Sequence, residues 1–183
     1  MKVLIIGAGV IGSFNAARLT QAGVDVTLLA RGSRLADLEA NGVTLEDFRT
    51  GQRTTTRVRL VDRLGPEDEY DLAVVIVRRN QVASVLPMLA QAHRIPSVLF
   101  LGNSATGPEH LVNALGKDRV LTGMVNAGGE RERDTGWSAT CGGRPCPWSS
   151  PNWRVTAVTV LGIGARYLSC MSGRVVRRTR SGL

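Results

Sequence analysis

Short apolar runs alternate with longer segments of helical spacing over most of the chain. Runs rich in Val, Ile and Leu predict strands, and apolar residues that recur every three or four positions predict helices. The predicted strands are Lys2–Ile6, Asp25–Ala30, Val43–Glu46, Arg57–Asp62, Leu72–Val77, Val98–Leu101 and Arg119–Thr122. The predicted helices are Val10–Ala22, 33–41, Gln81–Gln91 and Pro108–Leu115. Because strand and helix alternate, the pattern predicts an α/β fold with a mostly parallel, doubly wound sheet.

Two further expectations concern how these elements begin and end. Ser33 is a suitable N-cap for the second helix, and Gly42 is a suitable residue to close it. The Thr- and Arg-rich stretch between the third and fourth strands has no apolar run. We therefore expect that stretch to be a polar turn region.

The alternation stops near residue 132, which divides the chain into residues 1–132 and a tail of residues 133–183. The tail holds every Cys and Trp of the chain and mixes them with Gly, Pro and Ser without a helical or strand period. Only Val155–Gly164 is apolar enough to form one strand, and Arg166 argues against a membrane span there. The tail is therefore expected to be irregular.

The net charge of +8 also belongs to the tail. Residues 135–183 contain seven Arg and no acidic residue, whereas the acidic and basic residues before them nearly balance. The basic end at 173–180 is expected to be solvated, so neither nucleic acid nor a membrane is an expected partner. The tail cysteines are too widely spaced for a zinc site, and no metal is expected.

A glycine motif follows the first predicted strand and opens the first predicted helix. It reads Gly7-Ala8-Gly9-Val10-Ile11-Gly12 and matches G-x-G-x-x-G. In a βαβ unit this pattern is typical of dinucleotide binding and of a Rossmann-like fold. Gly7 would permit the tight turn, Gly9 would let the backbone approach a diphosphate, and Gly12 would let helix and strand pack closely. The alternative is a glycine turn without a ligand.

The end of the second strand indicates which dinucleotide is bound. An NAD site has Asp or Glu there to accept a hydrogen bond from the ribose 2′-hydroxyl, but this chain has Arg31. A guanidinium suits a 2′-phosphate, and Arg34 would add a second positive charge. The sequence thus predicts NADP (NADPH) as the cofactor; the alternative is that Arg31 is an ordinary surface residue.

With MKVLIIGAGVIGS followed by LLARGSRLADLEANGVTL, residues 1–132 resemble the ketopantoate reductase (2-dehydropantoate 2-reductase) family. The resemblance implies an NADP-binding Rossmann-type domain joined to an all-helical second domain, with the substrate between them. It implies a cytoplasmic oxidoreductase that reduces ketopantoate, a small 2-keto acid, with NADPH in pantothenate biosynthesis. It also implies a homodimer as one arrangement.

The resemblance assigns further residues near the cofactor. Arg78 stands where the family commonly has a lysine, Gln81 matches a glutamine that would contact the cofactor, and Asn103 matches an asparagine that touches ribose and substrate. Gly129 closes a segment similar to the loop beside the nicotinamide. Ser104 replaces the glycine that usually follows the asparagine, which leaves the substrate open.

The catalytic half of the family pattern is missing from this sequence. The family uses a lysine of the second domain, but this chain has only Lys2 and Lys117, and residues 135–183 lack Lys, Asp, Glu and His. We hypothesise that the reading frame shifts near residues 132–134, because a GC-rich gene read out of frame yields such a composition. The alternatives to a reductase are a truncated or catalytically incomplete NADP-binding module and a basic-tailed interaction protein.

Overall fold

The computed structural model describes residues 1–47, 50–102 and 107–123, and the backbone of three strands further on. The strands are β1 (Lys2–Ile6), β2 (Asp25–Leu29), β3 (Val43–Glu46), β4 (Arg53–Thr56), β5 (Arg59–Val61), β6 (Leu72–Val75), β7 (Val98–Leu101), β8 (Val120–Gly123), β9 (Val160–Leu161), β10 (Arg166–Met171) and β11 (Arg174–Thr179). The helices are α1 (Val10–Gln21), α2 (Gly32–Asn41), α3 (Arg79–Gln91) and α4 (Glu109–Leu115).

A seven-stranded sheet in the order β5-β2-β1-β6-β7-β8-β9 forms the centre of the fold. All neighbours from β5 to β8 are parallel, and β9 is antiparallel to β8. Ile6 at the end of β1 is in register with Leu29 of β2 on one side and with Val75 of β6 on the other. The strand order therefore reverses between β1 and β6, and the predicted mostly parallel, doubly wound sheet is confirmed.

Strand β1 shows why the central strands are continuous apolar runs. Val3 and Ile5 lie in the core cluster that includes α1 and α2, whereas Leu4 and Ile6 lie in the cluster that includes α3 and α4. All four side chains are buried. Because helices cover both faces of the sheet, alternate residues of one strand enter two different cores.

At the amino-terminal edge of the sheet, the Arg119 side chain forms hydrogen bonds within the protein. Arg119, just before β8, donates hydrogen bonds to the carbonyls of Leu89 at 3.2 Å, Ala92 at 2.8 Å and Ile95 at 3.1 Å. These carbonyls lie at or just beyond the end of α3, where a helix leaves its last acceptors unpaired. Burial lowers the pKa of Arg119 from its ordinary value, a direction that reflects the desolvation of this guanidinium.

Two predictions about turns are wrong. Ser33 does not cap α2, because Gly32 turns the chain one residue earlier with a φ of +56° and Arg31 takes the N-cap position. The Thr-rich stretch is not only turn: Arg53–Thr56 forms β4, which pairs antiparallel with β3. The Thr44 and Thr55 hydroxyls, 2.9 Å apart across this hairpin, show the cross-strand contacts that stabilise it.

The described part of the tail differs in part from its expected irregularity. Strand β9 falls within Val155–Gly164, where one strand was predicted. Strands β10 and β11 form an antiparallel pair, in which Arg166 is in register with Thr179, so the backbone of this basic end includes regular structure. Within the ranges given above, no helix combines the length and apolarity that crossing a membrane requires.

Candidate functional site

Two glycines of the motif leave no room for a side chain: Gly7 in the loop between β1 and α1, and Gly12 in the first turn of α1. Gly7 has a φ of +115°, and a Cβ there would overlap the Ile76 carbonyl oxygen that follows β6. A Cβ on Gly12 would overlap the carbonyl oxygen of Gly7. The start of α1 therefore packs directly on the loop, and the loop packs on the segment after β6. The same Cβ on Gly12 would lie 3.7 Å from the Ile5 side chain, which is an ordinary contact distance.

Gly9 differs from both neighbours in the motif. It is exposed, its φ of −76° is open to any residue, and no heavy atom of the described residues, its two chain neighbours aside, lies within 4 Å of the place where its Cβ would be. Neither backbone conformation nor packing inside the protein explains a glycine at this position. The open space above the Gly9 backbone leaves room for a ligand to contact the main chain closely.

Gly9 is also the N-cap of α1, whose first turn faces the point where the strand order reverses. The Gly9 carbonyl accepts the hydrogen bond of the Ser13 amide at 2.9 Å, and the first turn holds no acidic residue. Val10 and Ile11 are the first two residues of the helix. The amino end of a helix carries unpaired N–H groups and a partial positive charge, a combination that binds anions such as phosphate.

Arg31 lies directly beyond β2, next to this loop, and is exposed. Its Nε lies 3.4 Å from the Asp62 carbonyl oxygen, and its Nη2 lies 3.7 Å from the Met88 sulfur. The 3.4 Å contact is long for an N–H···O bond, a thioether sulfur is a weak acceptor, and neither partner is a carboxylate. A guanidinium in such an environment can leave these partners for a stronger anionic acceptor at little cost.

Arg34, in the first turn of α2, is held in a different way. Only 13% of its side chain is exposed, and its Nη1 forms an ion pair with Asp37. Its Nε donates to the Ala8 carbonyl at 3.1 Å, and its Nη2 donates to the Ser13 hydroxyl at 3.1 Å. The sequence predicts Arg34 as a second cation for a 2′-phosphate, whereas the structure turns its guanidinium toward the glycine loop.

Arg78 and Gln81 lie at the start of α3, beyond the carboxyl end of β6. Arg78 is the N-cap residue, and its backbone amide donates to the Gln81 side-chain oxygen at 3.2 Å. The structure thus gives Gln81 a helix-capping role that sequence reasoning missed, although Gln81 at the third helical position is a known capping pattern. Both side chains are exposed at the same sheet edge as the glycine loop. Their contacts with a cofactor stay a prediction.

A cavity of about 600 Å³ opens at the carboxyl ends of β6, β7 and β8. Its walls come mainly from α3, the start of α4 and the strand ends, and its polar groups are Arg78, Arg79, His110 and Thr122. Concave, largely apolar sites with a few polar groups are typical of ligand pockets. No local motif marks this cavity, because its lining comes from residues far apart in sequence. Asn103 and Gly129 lie outside the described residues.

The two lysines of the chain lie away from this edge. Lys2 opens β1, and its Nζ lies 4.7 Å from the centre of the Tyr70 ring. Lys117 lies in the turn that precedes β8. Both therefore belong to the amino-terminal edge of the parallel sheet, opposite the glycine loop, as expected from their places in the sequence.

The fold agrees with comparisons to known proteins. The profile of the family described as "Ketopantoate reductase PanE/ApbA" matches residues 3–143, so the chain belongs to this family. A 2-dehydropantoate 2-reductase of Mesorhizobium japonicum is 32% identical over 91 residues, which are 49% of this chain and 27% of the relative.

Solved structures show the same relationship. A PanE/ApbA family ketopantoate reductase from Ralstonia eutropha is 26% identical with a TM-score of 0.64, over 79% of this chain and 47% of that protein. A D-mandelate dehydrogenase crystallised with NADH and anilino(oxo)acetate is 21% identical with a TM-score of 0.63, over 78% of this chain and 46% of that protein, and shows the shared fold alone. The chain thus spans less than half the length of these relatives.

Proposed function

We propose that this chain binds NADP(H) and provides the cofactor-binding part of a reductase that acts on 2-dehydropantoate or a similar small 2-keto acid. The observation that carries the proposal is Arg31, an exposed and weakly bonded guanidinium, beside an open glycine loop at the reversal of strand order. Ligands of open α/β sheets bind in the crevice at such a reversal. The family relationship supports the same activity.

The residues present fit the diphosphate of a dinucleotide. The open position above Gly9 admits a phosphate to the main chain, and the amides of Val10 and Ile11 belong to a helix start without acidic residues. Ser13 is buried, and its hydroxyl is already bonded within the protein. We therefore assign the diphosphate to backbone donors at Gly9, Val10 and Ile11, and not to side chains.

The fold alone does not distinguish NADP(H) from NAD(H), so we infer the choice from the residue at position 31. A D-mandelate dehydrogenase with this fold was solved with NADH, so related proteins can bind the cofactor without the 2′-phosphate. In this chain a guanidinium stands where an NAD site needs an acceptor for the 2′-hydroxyl. Arg78 at the next strand end is a second exposed cation on the same edge. The 2′-phosphate is therefore favoured over the free hydroxyl.

The bound cofactor would supply the hydride, and the protein must orient the keto group and protonate its oxygen. The cavity beside Arg79 and His110 is the place where the described residues leave room for the reacting groups. Among the described residues no lysine lies at this edge, and residues 135–183 contain none. This observation favours a second candidate function, an NADP-binding module that does not turn over the keto acid by itself.

Two measurements on the full chain test these proposals. Calorimetry is expected to show tighter binding of NADPH than of NADH, and Arg31→Asp is expected to reduce that preference by about tenfold or more, since a charge-assisted hydrogen bond contributes about 1.5–3 kcal/mol. Unchanged preference in Arg31→Asp would contradict the NADP assignment. NADPH oxidation that depends on 2-dehydropantoate favours the reductase, and binding without turnover favours the module.

The division of the chain at residue 132 leads to a separate proposal. We propose that residues 133–183 do not contribute to cofactor binding and that they arise from a shifted reading frame. A variant that ends at residue 132 is then expected to bind NADPH with unchanged affinity. Translation of the other two frames of the gene downstream of this point is expected to reveal a helical domain with a lysine. Its absence from both frames would defeat the proposal.

A further inference from the structure

Three hydrogen-bonded elements meet at the guanidinium of Arg34: the glycine loop, helix α1 and helix α2. Its Nε and Nη2 donate to the Ala8 carbonyl and the Ser13 hydroxyl, both at 3.1 Å. Asp37 accepts from its Nη1 and is itself held by the Asn41 side-chain amide at 3.0 Å. A planar guanidinium can serve three acceptors at fixed angles, which an ammonium group cannot.

The bond to Ala8 fixes more than one carbonyl. The peptide unit that joins Ala8 to Gly9 is planar and trans, so its N–H points away from its C=O. When Arg34 holds the Ala8 oxygen on the side of α2, the Gly9 amide must point to the opposite side. Arg34 therefore sets the direction of a main-chain donor in the centre of the glycine motif.

The surrounding residues explain why this peptide unit needs such a contact. Gly7 is fixed by the backbone after β6, and Gly12 is fixed by the Gly7 carbonyl. Among the described residues other than its chain neighbours, none lies within 4 Å of the place where a Gly9 Cβ would be, so the peptide before Gly9 has no packing contact on that side. The Ala8 carbonyl of this peptide unit accepts from Arg34 at 3.1 Å and, at a longer 3.4 Å, from the Ser13 hydroxyl, so Arg34 provides the shorter of its two side-chain bonds.

We propose that Arg34 is a positioning residue for the diphosphate-binding loop: it orients the Ala8–Gly9 peptide unit, and Asp37 orients Arg34. This inference rests on the proposed function, because it concerns the same dinucleotide. It assigns Arg34 a different part from Arg31. Since the Arg34 charge is paired with Asp37, its effect is on geometry and falls on the diphosphate, not on the 2′-phosphate.

Two fragments of the cofactor separate these roles in the full chain. ADP-ribose carries the diphosphate without a 2′-phosphate, and adenosine 2′-monophosphate carries the 2′-phosphate without a diphosphate. Arg34→Met is expected to lower the affinity for ADP-ribose by about tenfold, the effect expected from the loss of one well-oriented donor. The same variant is expected to change the affinity for adenosine 2′-monophosphate by less than about twofold. Arg31→Met, the matched control, is expected to show the reverse pattern.

A spectroscopic measurement reports the orientation itself. The amide signal of Gly9 in a ¹⁵N spectrum is expected to shift and broaden in Arg34→Met, while amides of β7 stay unchanged. Asp37→Asn keeps Arg34 but removes the charge of its ion-pair partner, so a smaller loss of affinity for ADP-ribose is expected. Asp37→Asn carries the test if Arg34→Met does not fold.

Several outcomes would overturn the inference. Equal loss of both fragments in Arg34→Met would make Arg34 either a phosphate ligand or a general stabiliser of the fold. Unchanged affinity for ADP-ribose in both Arg34→Met and Asp37→Asn would exclude a positioning role, even if Arg31→Met behaves as expected. Failure of the unaltered chain to bind either fragment would instead overturn the proposed function and the inference with it.

Discussion

The two edges of the central sheet use arginine in opposite ways. At the amino-terminal edge, Arg119 spends its donors on three carbonyls near the end of α3. At the carboxyl-terminal edge, Arg31 and Arg78 are exposed, and Arg31 makes weak contacts with the Asp62 carbonyl and the Met88 sulfur. Charged groups that complete a fold are desolvated and fully bonded, whereas groups that await a ligand stay hydrated and weakly held. Arg34 is the exception at the carboxyl-terminal edge, because it completes the loop.

The largest expected effect comes from the glycine that locks the loop. Gly12→Val places a side chain on the Gly7 carbonyl oxygen, and backbone cannot move aside as a flexible side chain can. We expect a loss of about 3 kcal/mol or more in the free energy of unfolding, measured by urea denaturation. Gly65→Ala is the control, because its nearest neighbour would lie at 3.6 Å, an ordinary contact. Equal stability of the two variants would contradict the packing described for α1.

Arg119→Met tests the structural edge. The variant keeps the apolar stem but leaves the carbonyls of Leu89, Ala92 and Ile95 without this donor. We expect the free energy of unfolding to fall by about 2 kcal/mol, since each lost bond contributes about 1 kcal/mol and water replaces part of it. Affinity for NADPH should stay unchanged when measured well below the unfolding transition. A large loss of affinity would mean that the two edges are coupled.

Gly9→Ala should give the opposite result. The added methyl group meets no atom in the part of the chain that the structure describes, and the φ of −76° suits alanine, so the free energy of unfolding should change by less than about 0.5 kcal/mol. The methyl group occupies the space assigned to the diphosphate, so affinity for NADPH should fall by about tenfold or more. Calorimetry and urea denaturation on one preparation provide both values. Unchanged affinity would remove the reason given for this glycine.

The smallest effect is expected from Arg78→Met. This cation is exposed, and its attraction for a 2′-phosphate is reduced by solvent and salt. We expect NADPH affinity to fall about threefold at low ionic strength and less at high ionic strength, without change for NADH. Arg94→Met is the matched control, because Arg94 is an exposed arginine paired with Glu67 near the other edge. Equal effects of both variants would indicate general electrostatic attraction.

Local patterns in the sequence were sufficient for most of the fold. Strand β7 was predicted to the residue, because four consecutive apolar side chains enter two cores. Strand β4 was missed, because Arg53–Thr56 carries polar residues and is defined by its partner β3. The prediction that Ser33 caps α2 is wrong, because Gly32 already turns the chain.

The candidate site was predictable only where it is contiguous in sequence. The glycine motif and Arg31 follow from residue type and position after a strand. The role of Arg34 does not, because its partner Ala8 lies 26 positions away and the contact exists only after α1 and α2 pack. The cavity near His110 is likewise a product of tertiary packing.

The open space beside Gly9 means that selection acts on this glycine and on its neighbours in the motif for different reasons. Gly7 and Gly12 are needed for folding, whereas Gly9 is needed only for a ligand. Chaperones and proteases respond to unfolded chains, so they remove variants at positions where a side chain disturbs folding. A substitution at Gly9 is expected to leave folding intact, so chaperones and proteases are not expected to remove the variant. If the proposed function holds, cells that carry it would accumulate a well-folded protein that binds its cofactor weakly.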